Sequence, residues 1–171
     1  MIYKKQFNTL LIATIFTLAL LANLELKAQD FTSVIDKTEL LIKQNKFDKA
    51  FRLLNANEYL IQELNDSSTV MFYYEKGACL YYMRQFEDAL QCLNNAVLYM
   101  ERIKHHNCLN LRVFYLIGLC YDSLQQFDQA EKYYRRVIIR GNNLVSECDI
   151  LTHALYSTPQ SQTSDPMLLR Q

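Results

Sequence analysis

Two histidines and a cysteine stand close together in one short stretch of the chain, and these residue types bind zinc. His105, His106 and Cys108 could supply three ligands. A structural zinc site needs four ligands, however, and usually takes them as two pairs at defined spacings. The sequence offers no second pair of that kind. We interpret this cluster as a solvated connecting turn and predict no metal site.

The five cysteines favour a structural role for most of the thiols. Cys79, Cys92 and Cys120 fall on predicted helix faces and are interpreted as small apolar core residues. Cys79 and Cys120 would be separated by an intervening helix, which places them beyond disulfide reach. Cys108 and Cys148 lie in or near connecting segments and are candidate reactive thiols. An odd number of cysteines leaves at least one of them unpaired within a monomer.

The common catalytic and nucleotide-binding motifs are absent. The sequence contains no His-Glu-x-x-His, no Gly-x-Ser-x-Gly, no Walker loop and no dinucleotide-binding run of glycines. Its 18 basic and 18 acidic residues balance, and no basic stripe is present that could neutralise phosphates. We therefore predict no catalysis, no cofactor and no nucleic-acid partner.

A repeated sequence pattern predicts the helices that position these residues. Only three glycines and two prolines occur, and Pro159 and Pro166 lie near the C-terminal end, which favours an all-α fold. Three segments share the pattern Phe-x-x-Ala and follow one another at intervals of 39 and 41 residues: Phe47 to Ala50, Phe86 to Ala89 and Phe127 to Ala130. Apolar spacings of three, four and seven predict helices at about 31–45, 47–64, 69–84, 86–104, 109–124 and 127–140.

Small residues and a second apolar stripe indicate that the helices form stacked hairpins. Gly118 and Ala130 are small where two antiparallel backbones should approach each other. The second stripe of the same helix consists of Val113, Ile117, Cys120 and Leu124. A helix with two apolar stripes is sandwiched between neighbours, as in a solenoid.

This pattern resembles the tetratricopeptide repeat (TPR) over roughly residues 31–140. In the third copy, Phe114, Ile117, Gly118 and Tyr121, followed by Ala130 and Tyr134, match the family signature. The second copy has Lys76 and Leu80 in place of leucine and tyrosine, and the first copy lacks the glycine. The period of 39 to 41 residues exceeds the family's usual period of about 34, and the closing proline is absent. The resemblance implies an α-solenoid of about three antiparallel hairpins, over residues 29–66, 67–106 and 107–142.

The resemblance also implies a binding surface. In this family, the face of the first helices that points away from the glycines lines a concave groove for a protein or peptide. Tyrosine and arginine are favoured anchors at such interfaces. Nine residues are predicted on this face: Met71, Tyr74, Ala78, Tyr81, Tyr82, Arg112, Tyr115, Leu119 and Asp122. The alternative is that these tyrosines pack against the first hairpin or the tail, whereas Tyr73, Tyr121 and Tyr134 are expected in the hairpin cores.

The N-terminal segment has the build of a secretory signal. Lys4 and Lys5 precede an uncharged apolar run over residues 10–22, and Ala28 provides a small residue for cleavage. We predict a signal peptide over residues 1–28 and export to the periplasm or the extracellular space. The alternative is an uncleaved membrane anchor formed by residues 7–24, the one case in which the chain would be attached to a membrane.

The C-terminal part is predicted to leave the repeat pattern. Arg140 followed by Gly141 indicates a helix end, with the glycine in the left-handed conformation. Residues 143–156 are predicted as a capping helix or as the start of a truncated repeat, and residues 157–171 as a disordered tail.

Two functions remain open from the sequence. The first is an exported TPR-type scaffold that binds a protein or peptide in a tyrosine-lined groove and catalyses nothing. The alternative is the N-terminal sensing fragment of a larger membrane-associated repeat receptor or regulator. A complete scaffold is expected to be soluble and monomeric, whereas a fragment should expose the apolar side of residues 127–155 and aggregate.

Overall fold

The computed structural model describes residues 14–15, 17–18, 30–103 and 108–141. Residues 30–43 form the first helix, α1. The elements that follow are α2 (Phe47–Ala56), a 3-10 helix (Glu58–Glu63), α3 (Asp66–Tyr82), α4 (Phe86–Met100), α5 (Cys108–Ser123) and α6 (Phe127–Gly141). The described residues contain no β-strand and no helix that is both long and apolar enough to cross a membrane. Most of the predicted signal peptide, His105, His106, Cys148, the capping helix and the tail lie outside the described residues.

The helices pack as consecutive hairpins, α1 with α2, α3 with α4, and α5 with α6. Contacts between α2 and α3 and between α4 and α5 stack each hairpin on the next, and the first helices α3 and α5 also touch. The all-α, TPR-like solenoid predicted from the sequence is therefore confirmed.

The same turn closes each hairpin. Asn45, Arg84 and Gln125 adopt positive φ angles of 57°, 62° and 61° after α1, α3 and α5. At the second turn, the Arg84 N–H donates to the carbonyl of Tyr81 and the next N–H donates to the carbonyl of Leu80, both at 2.9 Å. The same two hydrogen bonds recur at the other two turns. This is the Schellman arrangement, which satisfies carbonyls that would otherwise be left unpaired at a helix end.

Glycine is required where the two helices of a hairpin cross. A Cβ atom on Gly77 would lie 2.8 Å from Cγ of Leu93, and one on Gly118 would lie 2.5 Å from Cε1 of Tyr134. Both distances are too short for real carbon atoms, so any larger residue would push the helices apart. This supports the prediction that small residues mark close helix approach.

Two polar residues depart from the repeat pattern, and each is compensated by a hydrogen bond or an ion pair. Thr38 replaces the glycine in the first hairpin and is completely buried, and its Oγ1 donates to the carbonyl of Val34 at 2.8 Å. Lys76 replaces an apolar residue in the second hairpin, and its Nζ lies 3.1 Å from Oε1 of Glu58 and 5.8 Å from the ring centroid of Phe51. The hydroxyl and the ammonium group are thus both satisfied at largely buried positions.

The apolar core divides into two clusters. One cluster joins α3, α4, α5 and α6, and the other joins α1, α2, the 3-10 helix and α3. Val113, Ile117 and Cys120 are completely buried in the first cluster, and Leu124 packs against it. The second apolar stripe of α5 is therefore confirmed, and it places α5 between two neighbouring helices.

Several helix boundaries differ from the approximate predicted positions. The helix predicted over 47–64 breaks at Asn57, whose side-chain Nδ2 donates to the carbonyl of Leu53 at 2.8 Å and so competes with continued helix formation. Helix α3 begins three residues earlier than predicted, because Asn65 caps it by accepting a 2.9 Å hydrogen bond from the N–H of Ser68.

The C-terminal ends of two second helices also differ from prediction. Helix α4 ends at Met100, four residues before the predicted position. Gly141 was expected beyond α6 in the left-handed conformation, but it is buried as the last residue of that helix, and no described glycine has a positive φ. A helical glycine costs only about 1 kcal/mol relative to alanine, which continued helix packing can outweigh.

Candidate partner-binding groove

Helices α3 and α5 carry the nine residues predicted to line the groove. The two helices touch, and Tyr74 lies near Arg112 and Tyr81 near Tyr115; the nine residues are hereafter called the α3–α5 face. Ala78 is only 6% exposed and forms part of the core beneath the face, whereas Tyr82 is 53% exposed. Arg112 and Asp122 are exposed, and the remaining members are partly buried: Met71, Tyr74, Tyr81, Tyr115 and Leu119. The face therefore has half-buried aromatic and aliphatic groups with charged groups at its surface.

Aromatic rings meet at the end of the face where the first helices terminate. The ring of Tyr82 stacks on Phe47 with the centroids 4.6 Å apart and an angle of 16° between the planes. Tyr81 meets the same tyrosine edge-on at 5.5 Å; burial raises the pKa of its hydroxyl, and the nearby Ser123 of α5 opposes that shift. These residues come from α2, α3 and α5, so the cluster joins all three hairpins.

A charged cluster occupies the middle of the face. Glu75 is 7% exposed, and burial raises its pKa from 4.5 to about 7; repulsion by Glu39 adds to the shift and Arg112 opposes it. Burial also raises the pKa of Tyr74 to about 12, with Glu75 adding to the shift and Arg112 again opposing it. The interacting groups come from α1, α3 and α5. At neutral pH this cluster can therefore gain or lose a proton at Glu75.

The sequence analysis missed both carboxylates of this cluster. Glu39 follows Thr38 in the chain, and Ala78 and Leu119 are its counterparts one and two repeats later. Extending the repeat alignment to the first hairpin would therefore have placed Glu39 on the face. No comparable signal marks Glu75, because its burial depends on the packing of three helices.

The predicted core tyrosines are only partly correct. Tyr134 is 1% exposed, as expected. Tyr73 and Tyr121 pack against the core but are partly exposed, and each stacks on a tyrosine of the following helix, so the predicted core position holds for them only in part. The aromatic residues that fill the core beside them are Phe72 and Phe114, at 0% and 3% exposure. A phenylalanine has no hydroxyl to hydrate, whereas a tyrosine at a helix seam keeps its hydroxyl near water.

The four cysteines that the structure describes are three core thiols and one disulfide-bonded residue. Cys79 and Cys120 are completely buried free thiols, and burial raises the pKa of each to about 12. Cys92 is also free and is partly buried. These three agree with the predicted core role and with the absence of a Cys79–Cys120 bridge. Cys108, predicted as a candidate reactive thiol, is disulfide-bonded instead.

No metal site is formed within the part of the chain that the structure describes. No group of three or more histidine, cysteine, aspartate or glutamate side chains converges there in a way that could hold an ion. His105 and His106 fall outside that part, so their arrangement is not addressed.

Comparisons with known proteins agree with this architecture. Residues 67–138, which run from α3 to α6, match the family model of the tetratricopeptide repeat. The crystal structure of the TPR domain of Arabidopsis FLU superposes with a TM-score of 0.63 at 19% sequence identity, covering 68% of this chain and 98% of that chain. None of the curated proteins matches the chain significantly. The matched repeats support a role as a protein-interaction scaffold.

Proposed function

We propose that this chain is an exported scaffold that binds a protein or peptide on the α3–α5 face and catalyses no reaction. The observation that carries the proposal is the convergence of aromatic and charged side chains from three hairpins on that one face. TPR arrays in general bind proteins or peptides, and they leave chemistry to other domains.

The chemistry of the face indicates what a partner must offer. Tyr82 presents an exposed ring that is already held in place by stacking on Phe47, so little conformational entropy is lost when a partner packs on it. Arg112 provides donors for a carboxylate or for backbone carbonyls. Asp122, further along α5, can accept from a cation or a backbone N–H. A peptide segment with an apolar side chain near an acidic group fits this arrangement.

Export is proposed from the N-terminal sequence and from the state of one cysteine. Residues 1–28 have the three-part composition of a secretory signal. The disulfide at Cys108 agrees with an oxidising compartment, because reducing cytosol keeps most thiols reduced. The exported product should begin at Gln29 by intact mass. A full-length form that stays in the membrane after carbonate extraction would instead support the anchor.

The binding proposal is tested by selecting peptides from a random display library on the wild-type chain. We expect Tyr82→Ala and Arg112→Ala each to weaken a selected peptide by about 2 kcal/mol, or about 30-fold in Kd. The matched controls are Tyr59→Ala and Arg52→Ala, which remove an exposed tyrosine and an exposed arginine from the first hairpin. Fluorescence anisotropy measures the affinities, and melting curves verify that all four variants fold.

Binding that is equally strong for the face variants and for the controls would refute the proposed surface. Failure to select any peptide above the background of a scrambled-sequence library would count against peptide binding altogether.

A further inference from the structure

A pocket lies where the second helices α4 and α6 flank α5. Its volume is about 240 Å³. One side comes from the end of α4, the other from α6, and α5 contributes one ring between them. The lining residues, hereafter called the α4–α6 pocket, are Val97, Met100, Glu101, Phe114, Arg136 and Arg140.

The α4–α6 pocket is separate from the α3–α5 face. A helix turns about 100° per residue, so Arg112 and Leu119 project roughly 160° and 140° away from Phe114 around α5. The other lining residues belong to α6 or to the end of α4, and neither helix contributes to the face. An inference about this pocket therefore does not depend on the proposed partner binding or on export.

Two arginines bring positive charge to the pocket. Among the described residues, no carboxylate lies within 4.0 Å of Arg136 or Arg140, although Glu101 lines the same pocket. Like charges four residues apart on a helix repel each other. An anion bound by both side chains would relieve this repulsion and would accept charge-assisted hydrogen bonds.

Aromatic rings hold the two arginines in position. The guanidinium carbon of Arg140 lies 5.0 Å from the ring centroid of Phe114. That of Arg136 lies 5.7 Å from the same centroid and 5.1 Å from the ring centroid of Tyr133. A guanidinium group over a ring uses its face, so the N–H donors in its plane stay available for a ligand. Because these side chains are already held, little conformational entropy is lost on binding.

The rest of the lining selects the kind of anion. Met100 and Phe114 are only 4% and 3% exposed and supply a buried apolar surface. A cavity of about 150 Å³ already holds a benzene ring, so 240 Å³ accommodates one ring or short aliphatic chain together with a carboxylate. Glu101 opposes the two arginines, which favours a monoanion over a more highly charged phosphate. We propose that the α4–α6 pocket binds a small monocarboxylic acid with an apolar body.

Phenylacetate, which joins one carboxylate to one ring, is the probe for this site. The full chain is titrated at neutral pH, and the backbone amide signals of Met100 and Phe114 are followed by NMR. We expect saturable shifts with a Kd of roughly 1 to 5 mM, as for a ligand of about ten non-hydrogen atoms. The absence of saturable shifts at about ten times that concentration would overturn the proposal. Shifts confined to Arg112 and Tyr115 would also overturn it, because they would place the acid on the α3–α5 face.

Three related compounds test the chemical class. Acetate lacks the ring, 2-phenylethanol lacks the charge, and inorganic phosphate lacks an apolar body. Each should bind at least about tenfold more weakly than phenylacetate, because an apolar contact or a charge-assisted hydrogen bond is lost. Equal binding of phosphate would reassign the pocket to anions in general, and equal binding of 2-phenylethanol would show that the arginines take no part.

A fourth compound distinguishes a free acid from the end of a partner protein. N-acetylphenylalanine carries a ring and a carboxylate beside a peptide bond, as a protein C-terminus does. It should bind no more tightly than phenylacetate, since the pocket has room for one ring and one carboxylate only. Clearly tighter binding would overturn the assignment to a free acid.

Arginine variants connect the binding to the pocket. Arg136→Gln/Arg140→Gln should weaken phenylacetate at least about tenfold. The matched control is Arg102→Gln, since Arg102 also lies over a ring, 4.8 Å from the centroid of Tyr99, but has Asp66 at 3.8 Å and does not line the pocket. Melting curves verify that both variants fold. Wild-type affinity in the double variant would overturn the proposal.

Glu101→Gln provides a test in the opposite direction. Removing the negative charge from the lining should tighten phenylacetate by about two- to fivefold, and a gain of affinity cannot result from misfolding. The gain should shrink as salt is added, because this side chain is exposed and its charge is screened. Weaker binding by Glu101→Gln would mean that the carboxylate helps to hold the ligand, and the proposed anion would be wrong.

Discussion

Replacing Glu75 with glutamine should remove a pH-dependent loss of stability. Burial raises the pKa of Glu75 from 4.5 to about 7, with repulsion by Glu39 as the second cause. Between these pH values the folded protein holds a proton that the unfolded chain releases. The free energy of unfolding therefore falls as pH rises through this window. Glutamine has a similar shape and no titrating proton, so the Glu75→Gln chain should lack this fall.

The magnitude follows from the two pKa values. They differ by about 2.5 pH units, and each unit corresponds to about 1.4 kcal/mol, so Glu75 costs up to about 3 kcal/mol once the pH is well above 7. At pH 5 the cost is only about 1 kcal/mol on the same basis. The stability advantage of Glu75→Gln over the wild type should therefore grow by about 2 to 3 kcal/mol between pH 5 and pH 8.

Urea unfolding followed by circular dichroism at both pH values measures this difference. Glu87→Gln, which removes an exposed carboxylate from α4, is the control and should show no such growth. Two further variants should move the effect in opposite directions. Glu39→Gln should lower the pKa of Glu75 and shrink the advantage, whereas Arg112→Gln should raise that pKa and enlarge it. Parallel pH curves for wild type and Glu75→Gln would show that the carboxyl group is not held protonated, and the reasoning would fail.

Three other outcomes are expected from single positions. Arg84→Gly should raise the free energy of unfolding by about 0.5 to 1 kcal/mol, since glycine adopts a positive φ without strain, and a lower melting temperature would contradict the left-handed turn. Gly118→Ala should cost about 1 to 3 kcal/mol in urea unfolding because its Cβ meets Tyr134; an equal cost in a Tyr134→Leu background would disprove that clash as the cause. Cys120, completely buried, should react with Ellman's reagent only on unfolding, whereas partly exposed Cys92 should react in the folded chain; equal rates would contradict the burial.

The hairpin architecture could be predicted because each repeat carries its own short-range signal. Phe86 and Ala89 mark the start of a second helix, and Gly77 marks the crossing with the first. The turn between them could not be predicted at the residue level. Asn45, Arg84 and Gln125 are not glycines, and the closing of the hairpin imposes their positive φ angles.

The composition of the α3–α5 face was predictable only in part for a related reason. Arg112 and the tyrosines of α3 and α5 follow from the repeat alignment, whereas Glu75 becomes a buried acid only when α1 and α5 flank α3. Lys76 was interpreted from the sequence as a loss of the repeat pattern. Its pairing with Glu58, 18 residues earlier in the chain, shows that the substitution is compensated over a distance that no local pattern can reveal.

The left-handed turn is the same in each hairpin, whereas the number of residues between successive turns varies. The turns at Asn45 and Arg84 are 39 positions apart and those at Arg84 and Gln125 are 41 apart, yet their hydrogen bonding is the same. The difference in length therefore falls outside the turns, and the second helices differ: α2 ends at Ala56 and is followed by a 3-10 helix, whereas α4 runs to Met100. Each hairpin thus has a turn of constant geometry, whereas the distance from one turn to the next is variable. Insertions and deletions between hairpins would rotate one hairpin against the next. The curvature of the array would then change while the left-handed turns stay the same.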